Sequence, residues 1–163
     1  MLWNKKTSPV REAKRKDLDR VTQLRRQLHD MYMTGRSDFF QKPFGDALAQ
    51  ETRGMQHDKQ SLLLVYEEDG TVCGYLHAVF VTEDATLYRE GRSYCSVREL
   101  CVDKSCRGQG IGTALIEALR AQVVARGCPK IELQTWEFNA AALEFWQKQG
   151  FGTYLRCMEW KAE

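Results

Sequence analysis

The chain has 163 residues, 43% of them hydrophobic and 28% charged, with a formal net charge of +2. That length suits a single domain spanning residues 1–163 with its own core, and the mild charge argues against nucleic acid as a partner. No apolar run approaches the roughly 20 residues of a membrane span. The start, Met1-Leu2-Trp3-Asn4-Lys5-Lys6, lacks the apolar stretch of a signal peptide, so a cytoplasmic protein with no membrane partner is expected.

Pro9 to Ala13 reads as a short first strand. The basic residues clustered around it (Lys5, Lys6, Arg11, Lys14, Arg15, Lys16) suit a solvated strand and helix start. Asp17 is placed to cap a helix in which Leu18, Val21, Leu24, Leu28 and Met31 recur at helical spacing, until Gly35 breaks it. A loop over residues 36–43 leads to a weaker helix from Phe44 to Met55. Strands follow at Ser61–Tyr66 and Val72–Thr82. The Asp69-Gly70 pair between them is a strong hairpin signal. After a polar loop, Glu83 to Gly91, comes a strand from Tyr94 to Val102. A helix over Thr113–Arg126, a strand over Lys130–Trp136, a second helix and a last strand from Phe151 to about Trp160 complete the chain.

The order β-α-α-β-β-β-α-β-α-β combines a hairpin meander with a β-α-β unit. It predicts a mixed α/β fold, with a mixed, largely antiparallel sheet and helices on both faces. Six cysteines occur with no C-x-x-C pair, so a metal site has no support. Most read as small core hydrophobes, and reduced thiols fit the cytosol.

Arg107-Gly108-Gln109-Gly110-Ile111-Gly112 is the most informative stretch. It joins a strand to a helix. Glycines at alternate positions let the backbone approach a ligand closely. The free N–H groups of a helix start then face a phosphate or pyrophosphate. A dinucleotide loop needs a third glycine where Thr113 stands, and a nucleoside triphosphate loop needs a lysine before that threonine. Neither pattern is met. The spacing does match the R/Q-x-x-G-x-G/A loop of the GNAT acetyltransferases. Downstream, Asn139, Ala142, Phe145, Gly150 and Phe151 resemble that superfamily's N-x-x-A-x-x-F-Y-x-x-x-G-F signature, at the usual separation from the loop. The resemblance is good from about Ser61 onward and holds only in outline before it.

This resemblance implies acetyl transfer from acetyl-CoA to a primary amine, of a small molecule or a peptide, by direct attack in a ternary complex. The strands flanking the cofactor helix would splay apart. Gln109, Gly110, Ile111, Gly112 and Thr113 would cradle the pyrophosphate beside Arg107 and Gly108. The backbone of Leu100, Cys101 and Val102 would line the pantetheine arm, with Asn139, Ala142, Phe145 and Trp146 closing the site. The Val102 N–H is the implied oxyanion donor. Glu99 is the candidate base, since alternation through Val97, Glu99 and Cys101 would put it on one face with two non-polar residues. A structural glutamate paired with Arg98 or Arg92, or one simply facing solvent, is the competing reading. Trp146 stands where many members carry a proton-donating tyrosine, and an indole N–H cannot serve as that acid, which leaves Tyr154 as the candidate. Acceptor-wall candidates are His29, Tyr32, Arg36, Phe39 and Phe40, then Glu83, Asp84, Tyr88 and Glu90. Arg36 and Arg89 could equally bind a carboxylate. A homodimer is left open. A non-catalytic acetyl-CoA-binding sensor or scaffold is the alternative function.

Overall fold

The computed structural model describes residues 8–42 and 45–162. Five strands form one sheet in the order β1 (Val10–Glu12), β2 (Ser61–Glu68), β3 (Thr71–Glu83), β4 (Arg92–Val102) and β5 (Ile131–Leu133). All neighbours are antiparallel except β4 and β5, which run parallel. The β2–β3 turn has φ of 48° at Asp69 and 77° at Gly70. Positive φ at both central positions is what a two-residue hairpin with native twist requires.

Helices cover both faces. On one lie α1 (Leu18–Gly35) and α2 (Ala47–His57), and on the other α3 (Ile111–Ala125) and α4 (Ala140–Lys148). The α1 side buries Leu18, Val21 and Leu24 against Leu63, Val65 and Tyr75. The α3 side buries Ile111, Leu115, Ile116 and Leu119 against Leu62, Leu64, Leu76 and Val97. Two faces of one sheet thus carry two separate cores, as period-two alternation dictates. Among the described residues, no helix is long and apolar enough to cross a membrane.

β4 breaks that alternation once. His77 pairs with Glu99 but Ala78 pairs with Val97, so Arg98 has no partner and forms a bulge. An extra residue inverts the faces of everything beyond it. Cys95 and Val97 therefore face α3, whereas Cys101 faces α1. The expected sharing of one face by Val97, Glu99 and Cys101 is wrong for this reason.

Several boundaries differ from the sequence reading. Asp17 does not cap α1 by its side chain. Its carboxylate accepts from the backbone N–H of Lys14 at 2.7 Å and pairs with Arg11, closing a 3-10 turn ahead of the helix. Helix α1 runs through Gly35 rather than stopping before it. The second helix starts at Ala47, and the expected start at Phe44 lies outside the described residues, as does the segment Met1–Lys6. The expected last strand from Phe151 to Trp160 is not a strand. Strand propensity supplies no ladder partner, and this segment has none among the described residues. Its Leu155, Met158 and Trp160 are exposed, and it is pinned instead by ion pairs of Glu159 with Arg36 and Lys161 with Asp38.

Candidate active site

The wedge between β4 and β5 follows from hydrogen-bond parity. β5 pairs with β4 only as far as Val97. Beyond the bulge, Asp103 N–H donates to the Cys73 carbonyl at 2.8 Å. Bonded and non-bonded pairs alternate along an antiparallel ladder. Cys101, two residues from Asp103, therefore turns its backbone groups to β3. Leu100 and Val102 turn theirs to the open side that β5 has left. Without the bulge, Leu100 and Val102 would present their amides to β3 and the wedge would be closed to an extended ligand.

At the end of this wedge lies a cavity of about 310 Å³ lined by the glycine loop, Val102, Cys106 and Phe145. Gly108 and Gly110 have φ of 75° and 77°, and a Cβ built on either would meet nothing within 4 Å. Their glycine identity is thus set by backbone conformation, which costs other residues about 1–2 kcal/mol. Gly110 is the N-cap of α3 and has no side-chain cap, so the first N–H groups of that helix are left for a ligand. Gly112 is different: a Cβ there would lie 3.1 Å from the Phe145 ring. Gly112→Val is expected to push Phe145 off the cavity wall and weaken binding of the CoA that the family resemblance implies by at least about tenfold, measurable by calorimetry, with a small change in melting temperature.

A carboxylate anchors the turn that delivers this loop. Asp103 Oδ1 accepts from the Ser105 N–H at 2.9 Å and the Ser105 hydroxyl at 2.8 Å, and Arg20 bonds Oδ2. The Ser105 backbone bond first, then its hydroxyl and Arg20, hold the Asp103 carboxyl down at about 2. A lowered carboxyl pKa stabilises the fold above its unfolded value, near 3.9. That contribution is lost as pH falls through the folded value. Asp103→Asn should therefore be less stable than the parent at pH 7. The gap should narrow as pH drops from about 4 to 2, as read by denaturant unfolding at each pH.

On the α1 face of β4 is a second cavity, about 390 Å³, lined by Arg25, Leu28, His29, Tyr32, Ala47, Leu48, Glu51 and Glu99. Glu99 sits on its floor in a fixed geometry. Its Oε2 accepts from Arg25 Nε at 2.8 Å and Tyr75 Oη at 2.9 Å, and its Oε1 from Arg25 Nη2 at 2.7 Å. The partner is therefore Arg25 on α1, not Arg98 or Arg92. Burial would lower the Arg25 pKa, but its bonds to Glu99 and Glu51, and their charges, more than offset it, and the guanidinium stays charged. Burial, then the Glu99 charge, raise the hydroxyl of Tyr75 well above its ordinary value and raise that of Tyr32. Burial likewise pushes the Cys101 thiol up to about 11, so it is not a nucleophile at neutral pH.

His29 and Tyr32 line this second cavity, and Phe40 stacks on Tyr32 at 5.0 Å. Phe39 and Phe40 both meet the edge of Trp136, and Arg36 lies over its ring. The structure thus draws the predicted wall residues into one aromatic cluster and adds Trp136 to it. Glu83, Asp84, Tyr88 and Glu90 line neither cavity, and Glu83 is held by Arg92 and Tyr94 at the far end of the sheet. Asn139 Oδ1 caps α4 by accepting from the Ala142 N–H at 3.1 Å, and its amide nitrogen lies against Met31 sulphur. Trp146 is 9% exposed, packs edge-on to Phe145 and Phe151 in the α3 core, and lines neither cavity. Tyr154 Oη donates to Glu132 at 3.0 Å, also away from both cavities. Arg25, which orients Glu99, was missed. Its signal was a charged residue inside the apolar stripe Val21, Leu24, Leu28 of a predicted helix, since a charge so placed must find a partner.

Two pockets thus lie on opposite faces of one strand, one beside helix-start amides and one around a fixed carboxylate. The model of the family described as "Acetyltransferase (GNAT) family" matches residues 25–151. A Yersinia pestis (strain Pestoides F) protein named "Acetyltransferase" is 30% identical over 112 residues, covering 69% of this chain and 72% of the relative. Among solved structures, a tetramutant of the BH1408 protein from Bacillus halodurans is similar with a TM-score of 0.88 and 26% identity, covering 94% of this chain and 99% of that one. The aminoglycoside enzyme AAC(6')-Iy, solved with the bisubstrate analogue CoA-S-monomethyl-acetylneamine, is similar in fold at a TM-score of 0.73 and 19% identity, covering 94% and 97%. With the glycine loop and the Asn139–Phe151 signature both inside the matched region, this chain belongs to the GNAT acetyltransferase family.

Proposed function

We propose that the protein is an acetyl-CoA-dependent N-acetyltransferase that acylates a primary amine in a ternary complex. The observation that carries this reading is the stretch Glu99–Val102. It presents a carboxylate to one cavity and the edge of a helix-start phosphate cradle to the other. Three residue steps of strand separate them, or about 10 Å at ~3.3 Å per residue, a span that an extended pantetheine arm can bridge. The cradle fits acetyl-CoA: Gly108 and Gly110 are open where a Cβ would stand, and the Val102 backbone faces the wedge.

Bound acetyl-CoA supplies the thioester whose C–S bond breaks as the new C–N bond forms. The chain's residues do the rest. A primary ammonium with pKa near 10.4 is neutral in only about one molecule in 10³ at pH 7. Glu99 takes the excess proton on Oε1, directly or through a water, because Oε2 is already committed to two donors. The Val102 N–H stabilises the developing oxyanion, and Arg107, whose Nε donates to the Val102 carbonyl at 3.2 Å, braces the peptide that follows it. Tyr154 does not serve as the acid, because its hydroxyl is on Glu132. Tyr32 takes that place as candidate. Its phenol lines the acceptor cavity, is held protonated, and has no hydrogen-bond partner among the described residues.

The test is thiol release from acetyl-CoA across a panel of primary amines. Amine-dependent release with acetylated product supports the enzyme. Tight acetyl-CoA binding with no turnover on any amine would favour a sensor or scaffold instead.

A further inference from the structure

Arg25 has no hydrogen-bond donor left for a ligand. A guanidinium carries five N–H groups. In Arg25, Nε donates to Glu99. Nη2 donates to Glu99 and to Glu51 Oε2 at 2.8 Å. Nη1 donates to Thr52 Oγ1 at 3.2 Å and, at the long end, to the Leu48 carbonyl at 3.4 Å. Its side chain is 6% exposed. The other arginines weighed as carboxylate anchors are also engaged. Arg36 is held by Asp38 and Glu159, and Arg89 lies beside Glu83, away from the cavity. What the cavity leaves open is a free oxygen of Glu51, one lone pair of Glu99 Oε1 and the Tyr32 hydroxyl. These stand over the apolar surface of Leu28, Ala47 and Leu48. One guanidinium against two carboxylates leaves a net charge of −1. Such a wall accepts an ammonium and repels a carboxylate that would lie beside it.

We propose that the acceptor is a primary amine with no carboxylate next to its amino group. Its body is compact and apolar or aromatic, and packs on Leu28 and the Tyr32–Phe40 stack. Amino acids are excluded as acceptors. This rests on the N-acetyltransferase reading for its chemistry, but on the cavity alone for its selectivity.

Phenethylamine and phenylalanine share ring and amino group and differ by one carboxylate. Binding of each to the protein–CoA complex by calorimetry, together with thiol release from acetyl-CoA, separates the two levels. Phenethylamine should bind and turn over at least about 100-fold better. Phenylalanine within about tenfold of it, or no binding by either compound, overturns the inference. Selective binding of phenethylamine without acetylation upholds the cavity assignment and defeats the transferase reading. Acetylation of both compounds alike does the reverse. Glu51→Arg, at a side chain 65% exposed, adds a free cation and should narrow the binding ratio about tenfold or more. An unchanged ratio would place the selectivity elsewhere and overturn the assignment.

Discussion

Arg25→Met is expected to lower stability by about 3–5 kcal/mol, the usual cost of removing one member of a buried charged pair. For a domain of this size each kcal/mol corresponds to about 2–4 °C, so a drop in melting temperature of roughly 6–20 °C is expected by calorimetry. Five hydrogen bonds converge on this guanidinium from β4 and α2. Without it, Glu99 loses both of its charge-assisted hydrogen bonds and Thr52 loses a donor in a fully buried site. The folded fraction should also lose acetyl transfer, because the carboxylate is no longer aimed at the acceptor cavity. Lys in place of Met would keep the charge but not the fork that spans both oxygens of Glu99, and should recover stability only in part.

Deletion of Arg98 should do more harm than any substitution at that position. Arg98 is exposed and unpaired in the ladder, so Arg98→Ala should change stability by no more than about 0.5 kcal/mol and leave activity in place. Removing the residue removes the bulge. Plain alternation would then drive Glu99 into the α3 core among Leu115 and Ile116, or turn Val97 and Cys95 out of it. Either outcome buries an unpaired charge or exposes the core. The deletion variant is expected to be insoluble or to melt far below the parent, while Arg98→Ala purifies and turns over normally. A folded, active deletion variant would show that the register shift does not position Glu99.

The glycine loop was legible because its geometry is local. Glycine spacing, a preceding strand and a following helix start are adjacent in sequence, and Gly108 and Gly110 adopt the positive φ that such spacing suggests. The three long strands and the Asp69-Gly70 hairpin were legible for the same reason. The acceptor side was not, because it is made by contacts distant in the chain. Arg25 meets Glu99 across 74 positions, and Trp136 reaches Phe39 from beyond β5. The bulge is invisible to a period-two reading, since Val97, Glu99 and Cys101 look like one face until a partner strand sets the register. Trp146 shows the opposite error. A motif position suggested a cofactor contact, but a large ring at a helical i, i+4 spacing from Ala142 is drawn into the core, where Phe151 covers it. The segment after Phe151 has strand-like residues and no edge to pair with, and propensity cannot reveal a missing partner.

Glu99 is proposed to act on the amine and not on the cofactor. The direct measurement is kcat/KM for acetyl transfer to a reactive amine by parent and Glu99→Gln, beside calorimetric CoA affinity of each. Gln keeps the size and one acceptor of the carboxylate, and circular dichroism reports whether the fold survives. The expected result is a fall in kcat/KM of about 10²–10⁴, the usual contribution of a general base, with CoA affinity unchanged within about threefold. The loss should shrink as pH rises toward the amine's own pKa, where the acceptor is already neutral. A Glu99→Gln protein that folds, binds CoA and acetylates at the parental rate across the pH range would show that Glu99 is not the base.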